Sequence, residues 1–287
     1  MSAAFLKSHY LKLKITVPSL HVVLGSGLGG VFSQSSEQKK DFSDWAEVGT
    51  LPFNELPGLP KTSVEGHPGL FRYFRNAKTG RVVCFQCGRL HGYEGHSPRT
   101  VVTPVMSARM AGTQVFILTN AAGGLKKNFS VGSIMLISDH VNLTGTSPLV
   151  GSNPKNEEGR DLGPRFPDMS AVYDKKIAQE LKQALVRNDL VANEGVYLGL
   201  MGPTYETPAE VALFASWGLG AVGMSTVWEA HALKHSGATI GGLSIISNMA
   251  CGLMGDEALN HADVEAIGKK VATKLVSALF EYCGTHA

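Results

Sequence analysis

The chain predicts an α/β fold with a largely parallel β-sheet. Two observations carry this. Short apolar runs alternate with segments of helical period, which is the pattern of strands joined by crossover helices. Glycine-rich turns also close several of those runs. The 287 residues suffice for one large α/β domain with a sizeable core. No internal repeat, low-complexity tract or linker divides the chain, so one domain over residues 1–287 is expected.

In order along the chain, residues 4–14 suit a short helix. Residues 21–24 form a compact apolar strand that runs into Gly25-Ser26-Gly27-Leu28-Gly29-Gly30. Residues 34–50 are polar and show no clear period, and Pro57-Gly58-Leu59-Pro60 marks a turn. Residues 70–74 and 81–86 read as a hairpin around Thr79-Gly80. Residues 100–111 fit an amphipathic helix, 115–119 a buried strand and 134–137 another strand. The stretch 144–167 contains Gly and Pro with little period and is too long for a plain connection, which favours a functional loop. Residues 170–188 read as a helix with Ser170 as cap and Ile177, Leu181, Ala184 and Leu185 on one face. A strand at 196–200, a helix at 209–217 ended by Gly218, strands at 221–224 and 241–247 around a helix at 227–235, and a long helix at 261–282 complete the reading.

Composition excludes several classes. Charged residues make up 17% and hydrophobic residues 44%, unlike a disordered or fibrous chain. A formal charge of +2, with no basic cluster longer than a pair, gives neither nucleic acid nor a membrane surface anything to hold. No apolar run approaches the ~20 residues that span a bilayer, and Met1 to Lys14 lacks the features of a signal peptide. Four cysteines are too few for a disulfide framework, so a cytoplasmic location is expected. Cys84-Phe85-Gln86-Cys87 has redox or zinc spacing, but on a strand positions i and i+3 face opposite ways. No second pair completes a metal site, and buried thiols are expected instead.

Three elements in the first half suit a small tetrahedral anion. The glycine loop offers converging N–H groups and the Ser26 hydroxyl. Gly25, Gly27 and Gly30 also match the dinucleotide fingerprint, yet the amphipathic helix and acidic strand end that fingerprint requires do not follow; a structural tight turn is the other alternative. Arg89 and His91, two residues apart, project from one face of an extended backbone and offer donors matched to phosphate, with Tyr93 continuing the alternation. Residues 120–124 follow a buried strand and either complete the cradle through N–H groups such as that of Ala121 or form a strand-to-helix turn. In the second half, Glu206 is either an acceptor for a ring N–H or a helix-capping carboxylate, and Tyr205 offers an aromatic face. Gly223-Met224-Ser225 sets an apolar platform and a hydroxyl at a strand end. Asn248 carries a donor and an acceptor suited to a heterocycle edge. His261 opens the last helix, where a lone histidine is ordinarily a surface residue.

Together these segments resemble the trimeric class of purine nucleoside phosphorylases over nearly the whole chain. The resemblance rests on the glycine loop, Gly66-His67, the run from Gly88 to Gly95, Thr119 to Gly124, Gly163 to Pro167, Gly202 to Thr207, Gly223 to Thr226, Ser247-Asn248 and Asn260-His261, all in order. It implies a mixed, largely parallel β-sheet flanked by helices, with active sites at the subunit contacts of a homotrimer. It assigns phosphate to Ser26, Arg89, His91, the Ala121 N–H and Ser225, with His67 nearby. Tyr93, Met224 and His261 become ribose contacts, and Phe166 the residue lent to a neighbour's ribose pocket. Tyr205, Glu206 and Asn248 become purine contacts, with Asn248, Glu206 and His91 as the catalytic groups. Trp228 departs from the family's usual Pro. Gly92 and His96 replace bulkier or aromatic residues, and Cys87 replaces a common Gln.

The implied reaction is reversible phosphorolysis of inosine and guanosine, with phosphate as co-substrate and neither metal nor organic cofactor. A methylthioadenosine phosphorylase of the same superfamily is the near alternative. It handles a 6-amino group, for which a carboxylate is the natural acceptor, whereas Asn248 favours a 6-oxopurine. A nicotinamide dehydrogenase and a nucleoside-binding protein without turnover are more distant rivals.

Overall fold

The computed structural model describes residues 2–33, 42–60, 68–251 and 261–286. Its strands are β1 (Leu20–Leu24), β2 (Trp45–Pro52), β3 (Leu70–Asn76), β4 (Val82–Cys87), β5 (Val115–Gly124), β6 (Ile134–Asn142), β7 (Ala192–Gly199), β8 (Ala221–Gly223) and β9 (Thr239–Met249). Its helices are α1 (Ser2–Lys12), α2 (Pro98–Ala111), α3 (Lys175–Arg187), α4 (Pro208–Ser216), α5 (Val227–His235) and α6 (His261–His286). The strands order as β2-β3-β4-β1-β5-β8-β7-β6-β9, and β9 also pairs with β5. The last five strands in that order therefore close into a small ring, with the remaining strands extending from β5 as an open wing. The sheet is mixed, as expected. β1–β4, β1–β5, β5–β9, β6–β7 and β7–β8 run parallel, while β2–β3, β3–β4, β5–β8 and β6–β9 run antiparallel.

Side chains alternate between two cores on opposite sheet faces. In β1, Val23 joins one core while Val22 and Leu24 join the other. Cys84 and Cys87 divide in the same way, and burial pushes both thiols up, Cys87 to about 12. These are inert core groups. α3 buries Ile177, Leu181, Ala184 and Leu185, the face its period predicts; each large apolar side chain so buried contributes ~1.5–3 kcal/mol. α6 buries Val271, Leu275, Val276, Leu279, Phe280 and Cys283 at helical spacing.

Three sequence readings are corrected. Ser170 does not cap α3. Its N–H and hydroxyl both bond Asp168, and Asp174 caps the helix by accepting from the Ile177 N–H at 2.9 Å. Trp45–Pro52 is a strand with no legible period, because it is a partly exposed sheet edge with a register shift between Glu47 and Gly49. Residues 120–124 do not form a strand-to-helix turn. They continue β5, paired with β9 along its length and with β8 at its end, so tertiary pairing overrides the weak strand propensity of Asn and Gly.

Candidate active site

The glycine loop leaves β1 in a space that only glycine fits. A Cβ on Gly25 would lie 2.8 Å from Asn120 Cα, and the Gly25 N–H donates to Thr119 Oγ1 at 3.1 Å. Gly27 has φ +79°; a Cβ there would lie 2.8 Å from the Glu265 carbonyl of α6. The loop is thus clamped between β5 and α6. Nothing lies within 4 Å of a Cβ on Gly30, and the following segment is a short 3-10 turn, Gly29–Ser33. The third glycine of a dinucleotide loop is demanded by helix–strand packing, a demand absent here.

Arg89 and His91 do reach one cavity, of about 330 Å³, although β4 has ended at Cys87. The guanidinium is not an open fork. It is 2% exposed, with Nε and Nη2 donating to the two oxygens of Glu229 at 3.3 and 3.0 Å and Nη1 donating to the Thr119 carbonyl at 2.7 Å. Glu229, 1% exposed, both balances the charge and fixes the plane of the group. His91 precedes the 3-10 turn Gly92–Glu94. Glu94 Oε1 accepts from the His91 backbone N–H at 2.8 Å and lies 3.0 Å from Nδ1, an arrangement that favours the tautomer protonated on Nδ1. Burial lowers the His91 pKa, with Glu94 opposing. The Tyr93 ring stacks on His91 at 4.6 Å between centroids.

Ser225 is aimed by backbone strain. Thr226, with φ +72° and ψ −48°, is the centre of a γ-turn closed by Val227 N–H to the Ser225 carbonyl at 2.8 Å. That conformation is costly for a β-branched residue. Asn120 Nδ2 holds the Thr226 hydroxyl at 2.9 Å. The turn presents Met224 and Ser225 to the cavity immediately before α5 begins.

The remaining wall comes from the second half. Thr207, not Glu206, caps α4 in a reciprocal capping box with Glu210. Glu206 is therefore spared from capping; it lines the cavity at 8% exposure, and burial raises its carboxyl pKa. Tyr205 stands beside it, 37% exposed. Between Ala122 and Gly123 the β5–β9 register shifts, so Ser247 is the extra residue and Asn248 pairs with Gly123. Such a bulge re-aims the following side chain, and Asn248 lines the cavity with one bond, Nδ2 to Ser247 Oγ at 3.3 Å.

The cavity thus gathers Ser26, Arg89, His91, Tyr93, Ala121, Tyr205, Glu206, Met224, Ser225 and Asn248. Phe166 is not among them: it is 87% exposed, with the Arg165 guanidinium 5.5 Å from its ring centre. His67 lies outside the described residues, as does the side chain of His261. Sequence reasoning gave no role to Glu229 or Thr119, whose function as Arg89's partners depends on contacts 140 and 30 residues apart. Glu94 was within reach, since His-x-x-Glu opening a turn is a capping signal. Among the described residues no group of three or more His, Cys, Asp or Glu side chains is arranged to hold a metal ion, and no helix is long and apolar enough to cross a membrane.

The Phosphorylase superfamily profile matches residues 25–282. Purine nucleoside phosphorylase 1 of Geobacillus stearothermophilus is 39% identical over 265 residues, 92% of this chain and 90% of that one. The crystal structure of Schistosoma mansoni purine nucleoside phosphorylase in complex with inosine superposes with a TM-score of 0.81 at 30% identity, covering 100% of this chain and 96% of that one. Isoform 2 from the same organism, in complex with cytosine and ribose-1-phosphate, gives 0.82 at 31%, covering 100% and 96%. The match therefore spans the glycine loop, the Arg89 segment, the strained turn and the Asn248 bulge together, and the chain belongs to the Phosphorylase superfamily as a purine nucleoside phosphorylase, a pentosyltransferase.

Proposed function

We propose that this cavity carries out reversible phosphorolysis of 6-oxopurine ribo- and deoxyribonucleosides, inosine and guanosine above all. A phosphate oxygen attacks C1′ as the C1′–N9 bond breaks; the bonding electrons leave with the purine, which takes up a proton, and α-ribose 1-phosphate forms. The transition state is oxocarbenium-like, so the site must stabilise positive charge on the sugar and electron density on the base. Ser26, Arg89, His91, the Ala121 N–H and Ser225 hold the phosphate beside the sugar, with His67 nearby. Tyr93, Met224 and His261 hold the ribose. Asn248 bonds purine N7 and O6, and Glu206 accepts from N1–H, with Tyr205 against the ring. Juxtaposing the reactants contributes ~7–11 kcal/mol in favourable cases.

The observation carrying this reading is that one cavity is lined by Arg89, His91 and Ser225 together with Glu206 and Asn248. An amide at 248 favours a 6-oxopurine over the 6-aminopurine of a methylthioadenosine phosphorylase. We read residues 1–287 as one nucleoside phosphorylase domain using phosphate as its sole co-substrate. It works in the cytoplasm as a homotrimer in which Phe166 completes a neighbour's ribose pocket. Support for the last point is a large apolar ring left exposed and away from its own chain's cavity. Inosine cleavage measured with and without phosphate is the test: cleavage is expected only with phosphate, and equal rates in phosphate-free buffer would make the protein a hydrolase.

A further inference from the structure

Gly92 and Trp228 are packed against each other. A Cβ on Gly92 would lie 2.6 Å from Trp228 Cη2, 2.9 Å from its Cζ3 and 2.7 Å from Met201 Sδ. The indole therefore occupies the space that a larger residue at 92 would fill. A close-packed interior cannot hold both the indole and a larger side chain at 92 without strain. Trp228 is 6% exposed in the first turn of α5. Its Nε1–H donates to Thr144 Oγ1 at 2.9 Å and reaches the Thr146 carbonyl at 3.3 Å. The indole thus joins the turn that carries Tyr93, the Met201 strand end and the start of the 144–167 loop.

Trp228 does not line the main cavity, but it backs its wall. A residual space of about 20 Å³ lies between it and Arg89, His91, Met224 and Ser225, residues that face the main cavity as well. These wall residues are not equally secured. Arg89 is held by Glu229 and Thr119, and the Ser225 N–H by Tyr197 at 3.4 Å. The Gly92–Glu94 turn is closed internally, with the Gly95 N–H donating to the Gly92 carbonyl at 2.9 Å, but it meets α5 through the packing of Gly92 on Trp228, so loss of the indole acts first on how that turn and the neighbouring Met224 are seated.

We propose that Trp228, seated against Gly92 and bonded to Thr144, is a positioning residue for the sugar side of the site: it fixes Tyr93 and Met224 and ties them to the loop that bears Phe166. This rests on the phosphorolytic reading above. Trp228→Phe removes the Nε1–H and part of the bulk, and Trp228→Ala removes the plug. In steady-state assays with each substrate varied separately, the KM for inosine should rise about threefold in the first and about tenfold in the second. The phosphate KM should stay within about twofold of wild type. Adding Gly92→Leu to Trp228→Ala should recover most of the inosine KM, whereas Gly92→Leu alone, which collides with the indole, should impair the enzyme. Should Trp228→Ala fail to fold, the same split is read from Trp228→Phe. Equal movement of both KM values, or an unmoved inosine KM in folded variants, would overturn the role of Trp228. Absence of phosphate-dependent cleavage in the wild type, assayed alongside, would instead fail the functional reading.

Discussion

The residues proposed to face the anion and those proposed to face the base are built on different terms. Arg89 is buried to 2% exposure and fixed by bonds to Glu229 and Thr119; His91 is pinned by Glu94. The strained Thr226 turn is secured by Asn120. By contrast, Asn248 makes one long bond to its neighbour's hydroxyl, and Tyr205 is 37% exposed. The proposed phosphate set is thus organised by the folded scaffold before any ligand arrives, while the proposed purine set keeps its hydrogen-bonding capacity for a ligand. Preorganised charge is worth most where a small nucleophile must be held still. Residues that read a base must stay unspent, because discrimination comes from buried groups left unpaired by the wrong partner.

Arg89→Ala should produce the largest effect. It strands the Glu229 carboxylate, a loss of ~3–5 kcal/mol for a broken buried pair, and should lower Tm sharply. Activity with phosphate varied should fall by about 100-fold or more. A defect confined to purine affinity, with Tm unchanged, would erase the distinction between the two sets.

Asn248→Asp should be nearly silent in Tm yet change specificity. A carboxylate repels O6 and accepts from an exocyclic amine, and each buried neutral group left unpaired costs ~1–3 kcal/mol. The inosine-to-adenosine ratio of kcat/KM should fall about tenfold or more, the equivalent of ~1.4 kcal/mol. An unchanged ratio in the folded variant would remove Asn248 from the base-reading set.

Phe166→Ala should raise the nucleoside KM about fivefold with little change in Tm, since the ring is 87% exposed in its own chain. After brief dissociation and reassembly with Arg89→Ala protein, mixed oligomers should recover activity, because some sites then hold both residues. No recovery despite demonstrated exchange would return Phe166 to its own chain's site.

The smallest effect is a pH dependence. Burial raises the Glu206 pKa above the ordinary 4.5, so its ionised, N1–H-accepting form is lost on acidification at a higher pH than for an exposed glutamate. The inosine KM should therefore begin to climb above the ordinary glutamate range, by about twofold to threefold, and Glu206→Gln should flatten the profile. A profile unaltered by that substitution would assign the titration elsewhere.

Much of this architecture is legible in the sequence. The α3 face, the α5 helix at Val227–His235 and the hairpin of β3 and β4 follow from period and turn chemistry alone. Residue types suited to an anion, Ser26, Arg89 and His91, could be picked out as well, and the fold brings them to one cavity. β2 and the second half of β5 were not legible, because their strand character comes from partners far away in the chain rather than from their own pattern. The α3 start was misplaced because Ser170 had a closer partner in Asp168.

By itself, the sequence determined which chemistry is available: a guanidinium, imidazoles, hydroxyls, a carboxylate and an amide, each beside a glycine or at the end of an apolar run. Residue type and local period are properties a chain carries before it folds. Only the tertiary structure decided how those groups are used. Contacts across 106 and 140 residues tie Asn120 to the strained Thr226 turn and Glu229 to Arg89, a bulge turns Asn248 toward the cavity, and Trp228 takes the space left at Gly92. Hydrogen bonding and packing act over a few ångströms, so their partners are set by where the fold brings chain segments together rather than by their order in the sequence.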